Sequence, residues 1–244
     1  HPGPAFSIVE IMAFLYFHQL RLDAKNPKWE ERDRIVLSKG HASPTLYAAM
    51  YEKGFFDENV MLSLRKMGSL LQGHPSSKMP GVDATTGSLG LGLSQAVGMA
   101  IGAKILKSNI KVFAIIGDGE CDEGQIWEAA LFASHHELDN LFVFLDNNKD
   151  QYEGQVCDVL NLEPLDQKWM SFGWDVEAID GHDFEAIDNF VTSSGKRKGK
   201  PHIAIADTQK GNGVSFMEGN SEYHARALNE DEFNRAIKEL EEMQ

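Results

Sequence analysis

The stretch Gly117–Gln151, "GDGECDEGQIWEAALFASHHELDNLFVFLDNNKDQ", decides the fold. It opens on Gly-Asp-Gly and runs to Asp-Asn-Asn near its end, and each cluster follows a short apolar run, "KVFAII" at 111–116 and "LFVFL" at 141–145. Runs of this length, rich in β-branched and aromatic residues, read as strands buried on both faces. Between them "DEGQIWEAALFASHHEL" carries Ile126, Ala130, Leu131 and Ala133 at helical spacing, so the unit is strand, helix, strand. Such a crossover makes the strands parallel. Its right-handed geometry puts both polar clusters at the carboxyl edge of the sheet, where open α/β sheets bind ligands. The sequence therefore predicts an α/β fold, a parallel sheet flanked by helices, with Asp118 and Asn148 facing one point.

One carboxylate and one amide oxygen, with Cys121 the only thiol or imidazole in either cluster, suit a hard cation such as Mg²⁺ or Ca²⁺ rather than zinc. Two or three protein oxygens cannot complete the octahedron of Mg²⁺, which fills its sphere with substrate phosphates and water. A phosphorylated ligand is expected. Gly117 and Gly119 let the backbone approach it, and the following helix offers free N–H groups and the positive end of its dipole. Taken singly, each cluster also reads as a plain turn; their pairing favours the metal.

A Gly-Asp-Gly followed about thirty residues later by Asn-Asn resembles the signature of thiamine diphosphate enzymes. By that resemblance the Asp118 and Asn148 side chains and the Asp150 main-chain carbonyl hold the metal, Mg²⁺ with Ca²⁺ or Mn²⁺ as alternatives, and Gly119 touches the diphosphate. The segments "HPGPAFS", "RDRIVLSKGHASPTLYA", "GHPSSKMPGVDATTGSLGLGLSQAVGMA", "GDGECDEGQIWEAA", "DNNKDQYEG", "FGWDVEAIDGHD" and "KGNGVSFME...YHA" look like transketolase segments in transketolase order, from the first residue to about Arg226. They are similar to the amino-terminal, diphosphate-binding domain of that family, here a single domain over 1–244 closed by an amphipathic helix near 230–243.

The resemblance implies transfer of a two-carbon ketol unit from a ketose phosphate to an aldose phosphate, the chemistry of the pentose phosphate pathway. It assigns catalytic contacts to His1, His41, His74 and His224: His41 and His224 to the diphosphate or the sugar, His1 and His74 to sugar hydroxyls and proton movement. An imidazole suits both tasks near neutral pH. Gly87, Ser88 and Leu89 would pack on the cofactor, and Glu123 and Glu128 would form a carboxylate relay across the subunit interface, although first-turn acids on a helix are also favoured by its dipole. One departure stands out: Ala225 follows His224 where the family carries Gly. The remaining histidines, His18, His135, His136, His182 and His202, fall on helices, a strand or a turn and are expected to pack or face solvent.

In the family the carboxylate that activates the cofactor comes from the next domain, on the opposite subunit. The resemblance therefore implies a carboxy-terminal partner subunit carrying the pyrimidine-binding domain, a heterotetramer of two plus two, and an apolar interface around Leu89 and Trp127. Deoxyxylulose-phosphate synthase and the 2-oxoacid dehydrogenase subunit share the metal module, but "HPG", "GHAS" and "GHPSSKMPGV" favour transketolase. A non-catalytic relative is the other alternative, disfavoured by the metal pair and the four histidines.

Composition is consistent. A chain of 244 residues with 42% hydrophobic content can bury one sizeable core. A net charge of −14 argues against nucleic acid. The longest apolar candidate, "SIVEIMAFLYFHQL", is broken by Glu10 and His18, which argues against a membrane span, and reads as a helix capped by Ser7 with Glu10 completing a capping box. The basic run "GKRKGK" at 195–200 reads as a solvated loop before the strand "PHIAIA". Two distant cysteines and no recognisable signal peptide point to the cytoplasm. "ATTGSLGLGLSQ" lacks the G-x-G-x-x-G spacing of a dinucleotide site.

Overall fold

A computed structural model describes residues 1–242. The strands are β1 (Arg34–Leu37), β2 (Val112–Gly117), β3 (Leu141–Asn147), β4 (Asp150–Gln151), β5 (Gly154–Gln155), β6 (Asp175–Asp180) and β7 (His202–Asp207). The helices are α1 (Pro2–Phe6), α2 (Val9–Phe14), α3 (Ser43–Glu52), α4 (Glu58–Met61), α5 (Leu91–Ile105), α6 (Gly124–His135), α7 (Val156–Val159), α8 (Leu165–Ser171), α9 (Phe184–Ser194) and α10 (Glu230–Glu242).

Five strands pair in the order β1-β2-β3-β7-β6, all parallel, and β4 and β5 form a small antiparallel hairpin. Alternate residues of the central strands feed two cores. Phe113, Ile115, Phe142 and Phe144 meet α2, α3 and α9 on one face; Val112, Ala114, Ile116, Val143 and Leu145 meet α5, α6 and α8 on the other. Burial on both faces is why these runs are almost continuously apolar.

The register places Gly117 opposite Asp146, and Asn147 opposite Asp207, so the polar ends of β2, β3 and β7 lie side by side at the carboxyl edge, as the strand-helix-strand unit requires. The crossover helix is shorter than predicted. Gly119–Asp122 forms a tight 3₁₀ turn and α6 begins at Gly124, while Leu131 faces outward and Ala129 replaces it in the buried stripe. The terminal helix matches its expected start, and its predicted last residue, Met243, lies outside the described residues.

The predicted capping box at Ser7 does not form. The segment splits into α1, α2 and a π turn at Leu15–Gln19, and the N-cap of α2 is Ile8, without a side-chain bond. Ser7 is instead fully buried and donates to Asp146 at 2.8 Å. Glu10 meets His182 Nδ1 at 2.9 Å and Asn212 at 3.1 Å. Distant partners for the hydroxyl and the carboxylate outcompete a local cap.

Asp146 is the hub of this edge. It accepts hydrogen bonds from Ser7, Lys39, Thr208 and Asn148, and both it and Lys39 are almost wholly buried. Burial alone would raise its pKa, but the Lys39 ammonium and the Thr208 and Ser7 hydroxyls outweigh that and hold it below the ordinary value. Removing one member of a buried pair strands the other charge. Asp146→Ala is expected to lower unfolding stability by about 3–5 kcal/mol in a denaturant titration, whereas the double change Asp146→Leu/Lys39→Met recovers most of the loss. Equal loss in single and double variants would contradict this account.

Candidate active site

A cavity of about 470 Å³ opens at the carboxyl edge. Its floor is Gly117–Glu120 from the end of β2 together with Asn148 and Asp150 after β3, and its walls carry His1, His41, His74 and His224. Gly87, Leu89 and Glu123 close the rim, so every predicted site residue lines the cavity except Ser88, which is exposed beside it, and Glu128, which is exposed on α6.

The four imidazoles come from segments spread from one end of the chain to the other, yet their rings converge: His1 lies 5.2 Å from His41, 5.7 Å from His224 and 6.5 Å from His74, and His41 stacks on His224 at 5.3 Å. Burial, and then the nearby Lys39 charge, lowers the His41 pKa to about 2. Burial and then Lys210 lower that of His224 to about 3. Burial and Arg65 also lower His74. His41, His74 and His224 are therefore neutral at physiological pH and can donate and accept hydrogen bonds. Lys210 Nζ lies 3.0 Å from His224 Nδ1; an ammonium only donates, so Nδ1 accepts and Nε2 carries the proton.

The expected metal ligands sit together. Asp118 is buried; its oxygens accept from Gly119 N at 2.7 Å and Lys149 N at 2.5 Å. Asn148 donates its amide to Asp146 at 2.7 Å, which turns Oδ1 away from that carboxylate. Burial, reinforced by Asp146, pushes the Asp118 pKa up to about 7, a penalty that a bound cation would relieve. Among the described residues no three His, Cys, Asp or Glu side chains form a metal site by themselves. The donor set, a carboxylate, an amide oxygen and a main-chain carbonyl, fits a hard cation shared with a diphosphate. Gly119 serves packing as well: a Cβ there would sit 2.6 Å from Gln151 Oε1 on β4.

Sequence reasoning missed Lys210, Lys39, Asp146 and Glu120. Lys210, almost fully buried, pairs with Asp150 at 2.6 Å, whose other oxygen is buried without a partner. Lys39 pairs with Asp146. Glu120 accepts from Ser38 at 2.5 Å, Gly90 N at 2.8 Å and Gly117 N at 3.1 Å, locking the glycine-rich loop to the ends of β1 and β2. The available signal was position: each lies at a strand end or within a few residues of one.

Residues 1–241 match the family described as transketolase, thiamine diphosphate binding domain. The chain belongs to the transketolase family. It is 46% identical over 242 residues to the 6-deoxy-6-sulfo-D-fructose transketolase subunit SqwG of Clostridium sp. (strain MSTE9), covering 99% of this chain and 88% of that one. It is 39% identical over 242 residues to one subunit of the apulose-4-phosphate transketolase of Phocaeicola vulgatus, covering 99% and 86%. The crystal structure of transketolase from Campylobacter jejuni superposes with a TM-score of 0.93 at 32% identity, covering 99% of this chain and 39% of that one. The chain thus spans well under half of that longer transketolase. Its relatives are named transketolases, which are transferases.

Within this transketolase domain the departure at Ala225 has a simple resolution. Its φ is −126°, open to any residue, so no glycine is required to bring His224 to the cavity.

Two outcomes are expected. Asp118→Ala should abolish Mg²⁺-dependent binding of thiamine diphosphate in calorimetry, because changes even beyond the ligands weaken metal sites by about 10- to 100-fold; unchanged affinity would refute the assignment. The second concerns acid. The unfolded chain protonates His41 near 6.5 while the folded chain holds it neutral to about 2, so stability is lost as pH falls below 6.5. At pH 5 the His41 contribution amounts to at most about 2 kcal/mol, and His41→Gln should flatten the stability profile between pH 7 and 5 by up to that amount in urea titrations.

Proposed function

We propose that this transketolase chain is the diphosphate-binding subunit of a two-chain enzyme, one domain over 1–244, that transfers a two-carbon ketol unit between sugars bearing a terminal oxyanion. The observation that carries the reading is the convergence of four histidines around the cavity whose floor holds Asp118 and Asn148. The substrate class follows the relatives: one name denotes a sulfonated sugar and the other a phosphorylated one.

When bound, thiamine diphosphate supplies a carbanion-stabilising thiazolium for cleavage next to a carbonyl. Asp118, Asn148 and the Asp150 carbonyl would hold Mg²⁺, and Gly119 and Lys210 would face the diphosphate. The chain's own groups then orient the sugar. His224 presents Nε2–H as a donor, fixed by Lys210 behind it, and His41 stacks beside it. His1 and His74 can hold or accept a proton at a sugar hydroxyl across the channel. Glu123 and Glu128 would communicate with the partner.

A partner subunit carrying the pyrimidine-binding domain, in a two-plus-two assembly, is supported by the matches to relatives named as subunits, which extend over 86% to 88% of their length. Leu91, Leu131 and Phe132 are exposed on α5 and α6 and suit its interface. Trp127, expected at that interface with Leu89, is half-buried: it packs on Trp169 and Phe172 and donates to the Cys121 carbonyl at 2.9 Å, which leaves only its remaining exposed edge for a partner. The free thiols of Cys121 and Cys157 support a cytoplasmic enzyme, and among the described residues no helix is long and apolar enough to cross a membrane.

The chain alone is expected to give no ketol transfer from xylulose 5-phosphate or fructose 6-phosphate to ribose 5-phosphate in the presence of cofactor and Mg²⁺. Addition of the pyrimidine-domain subunit should restore it. Substantial turnover by the lone chain would overturn the two-chain reading.

A further inference from the structure

His182 lies in the turn between β6 and α9, outside the cavity lining, where sequence predicts only packing or exposure to solvent. Both nitrogens of its ring nonetheless have partners. Nε2 accepts the Gln209 N–H at 2.8 Å, so that nitrogen is bare and the proton sits on Nδ1, which donates to Glu10 Oε2 at 2.9 Å. The other oxygen of the same carboxylate accepts from the Asn212 amide at 3.1 Å. A glutamate on α2 thereby fixes the tautomer of a histidine after β6, and the two together hold the chain after β7.

What they hold is one turn, and Lys210 is inside it. Gln209 and Asn212 are its ends, closed on each other by the Asn212 N–H and the Gln209 carbonyl at 3.1 Å. Between them the buried Lys210 reaches Asp150 at 2.6 Å and His224 Nδ1 at 3.0 Å. Gly211 N–H donates to the Gly3 carbonyl at 3.2 Å, and a Cβ on Gly3 would sit 3.0 Å from Lys210 Cγ, so the lysine stem lies against the segment that begins with His1. The His182 turn is seated on the same strand end: Gly181 N–H donates to the Asp207 carbonyl at 2.9 Å, and a Cβ on Gly181 would overlap the Thr208 side chain. A buried ammonium must keep its acceptors, so a shift of this turn disturbs Asp150 and His224 together.

We propose that His182, oriented by Glu10, is a positioning residue for Lys210: by fixing both ends of the Gln209–Asn212 turn, the pair sets where the ammonium meets the cofactor diphosphate and which nitrogen of His224 carries the proton. This rests on the transketolase reading above. Neither His182 nor Glu10 lines the cavity, and both act through the lysine.

Two substitutions separate this role from plain packing. Gln reaches about as far from its backbone as Nε2 does and can offer Oε1 to the Gln209 N–H, whereas Asn reaches only as far as Nδ1. In the complex with the partner subunit, well below the melting temperature of either variant, His182→Asn should weaken Mg²⁺-dependent binding of thiamine diphosphate by about 3- to 10-fold in calorimetry, the loss expected for one displaced neutral hydrogen bond. His182→Gln should restore most of it. Nitrogen NMR of the histidine-labelled chain gives a readout without cofactor: His224 should pass from a single Nε2–H tautomer to a mixture in His182→Asn and keep Nε2–H in His182→Gln. Equal loss in both variants overturns the proposal. So does a lower melting temperature with affinity and tautomer unchanged, which would mean packing only.

A last measurement uses the unmodified chain and does not depend on how the variants fold. Its nitrogen spectrum should show His182 bare at Nε2 and protonated at Nδ1; a proton on Nε2 overturns the proposal. Failure of the transketolase reading is distinct, appearing as no binding of thiamine diphosphate by the unmodified complex while the His182 and His224 tautomers stay as described.

Discussion

The carboxylate of Asp146, buried at the end of the central strand β3, is the constraint on which the site depends. A charge removed from water must be met by donors, and here they arrive from four segments: Ser7 after α1, Lys39 after β1, Thr208 after β7 and Asn148 two residues on. Each donor brings its neighbours. Ser7 carries the amino-terminal segment with His1, Lys39 precedes His41 by two residues, and Thr208 precedes Lys210 by two. One buried charge thus gathers three walls and a floor of the same cavity, and it also sets the amide orientation of Asn148.

A second carboxylate, Glu120, does the same for the other side. It ties Ser38, Gly90 and Gly117 to one point, so the glycine-rich loop carrying Gly87 and Leu89 cannot drift from the β2 end that carries Asp118. Burial raises its pKa while Ser38 and the two backbone donors oppose that. The floor therefore alternates buried acids with donors that belong to different loops, and its geometry is set before any ligand enters.

Much of this is legible in sequence. The strand-helix-strand unit is readable because strands buried on both faces leave unbroken apolar runs, and parallel pairing then fixes the edge. What is not legible follows from the same physics. Local rules propose Ser7 as a helix cap, but a hydroxyl within reach of a buried carboxylate is drawn to the stronger acceptor. Hydrophobicity points Leu131 inward, yet the buried stripe is Ile126, Ala129, Ala130 and Ala133, spaced i, i+3, i+4 and i+7, which leaves Leu131 on the outer face. Lys39 and Lys210 read as surface charge, since a lysine is seldom buried and nothing local announces its partner, which lies 107 positions away for Lys39 and 60 for Lys210. Histidines in loops beside Gly or Pro are recognisable by kind, whereas their mutual stacking belongs to the folded chain only.

The turn bearing His224 shows how a position that departs from its family can keep its geometry. Without glycine at 225, the turn cannot rely on backbone freedom, and it is held from outside by the terminal helix. Tyr223 donates its hydroxyl to Glu232 at 2.9 Å, and Arg226 reaches the same carboxylate at 2.7 and 3.0 Å while covering the Tyr223 ring. Glu232 can serve both because α10 begins on a reciprocal cap: Asn229 Oδ1 accepts from Glu232 N and the Glu232 carboxylate from Asn229 N, each at 2.9 Å. The amphipathic helix at the end of the chain, which sequence shows as a plain terminal element, is thereby fastened through one glutamate to the residues on either side of His224.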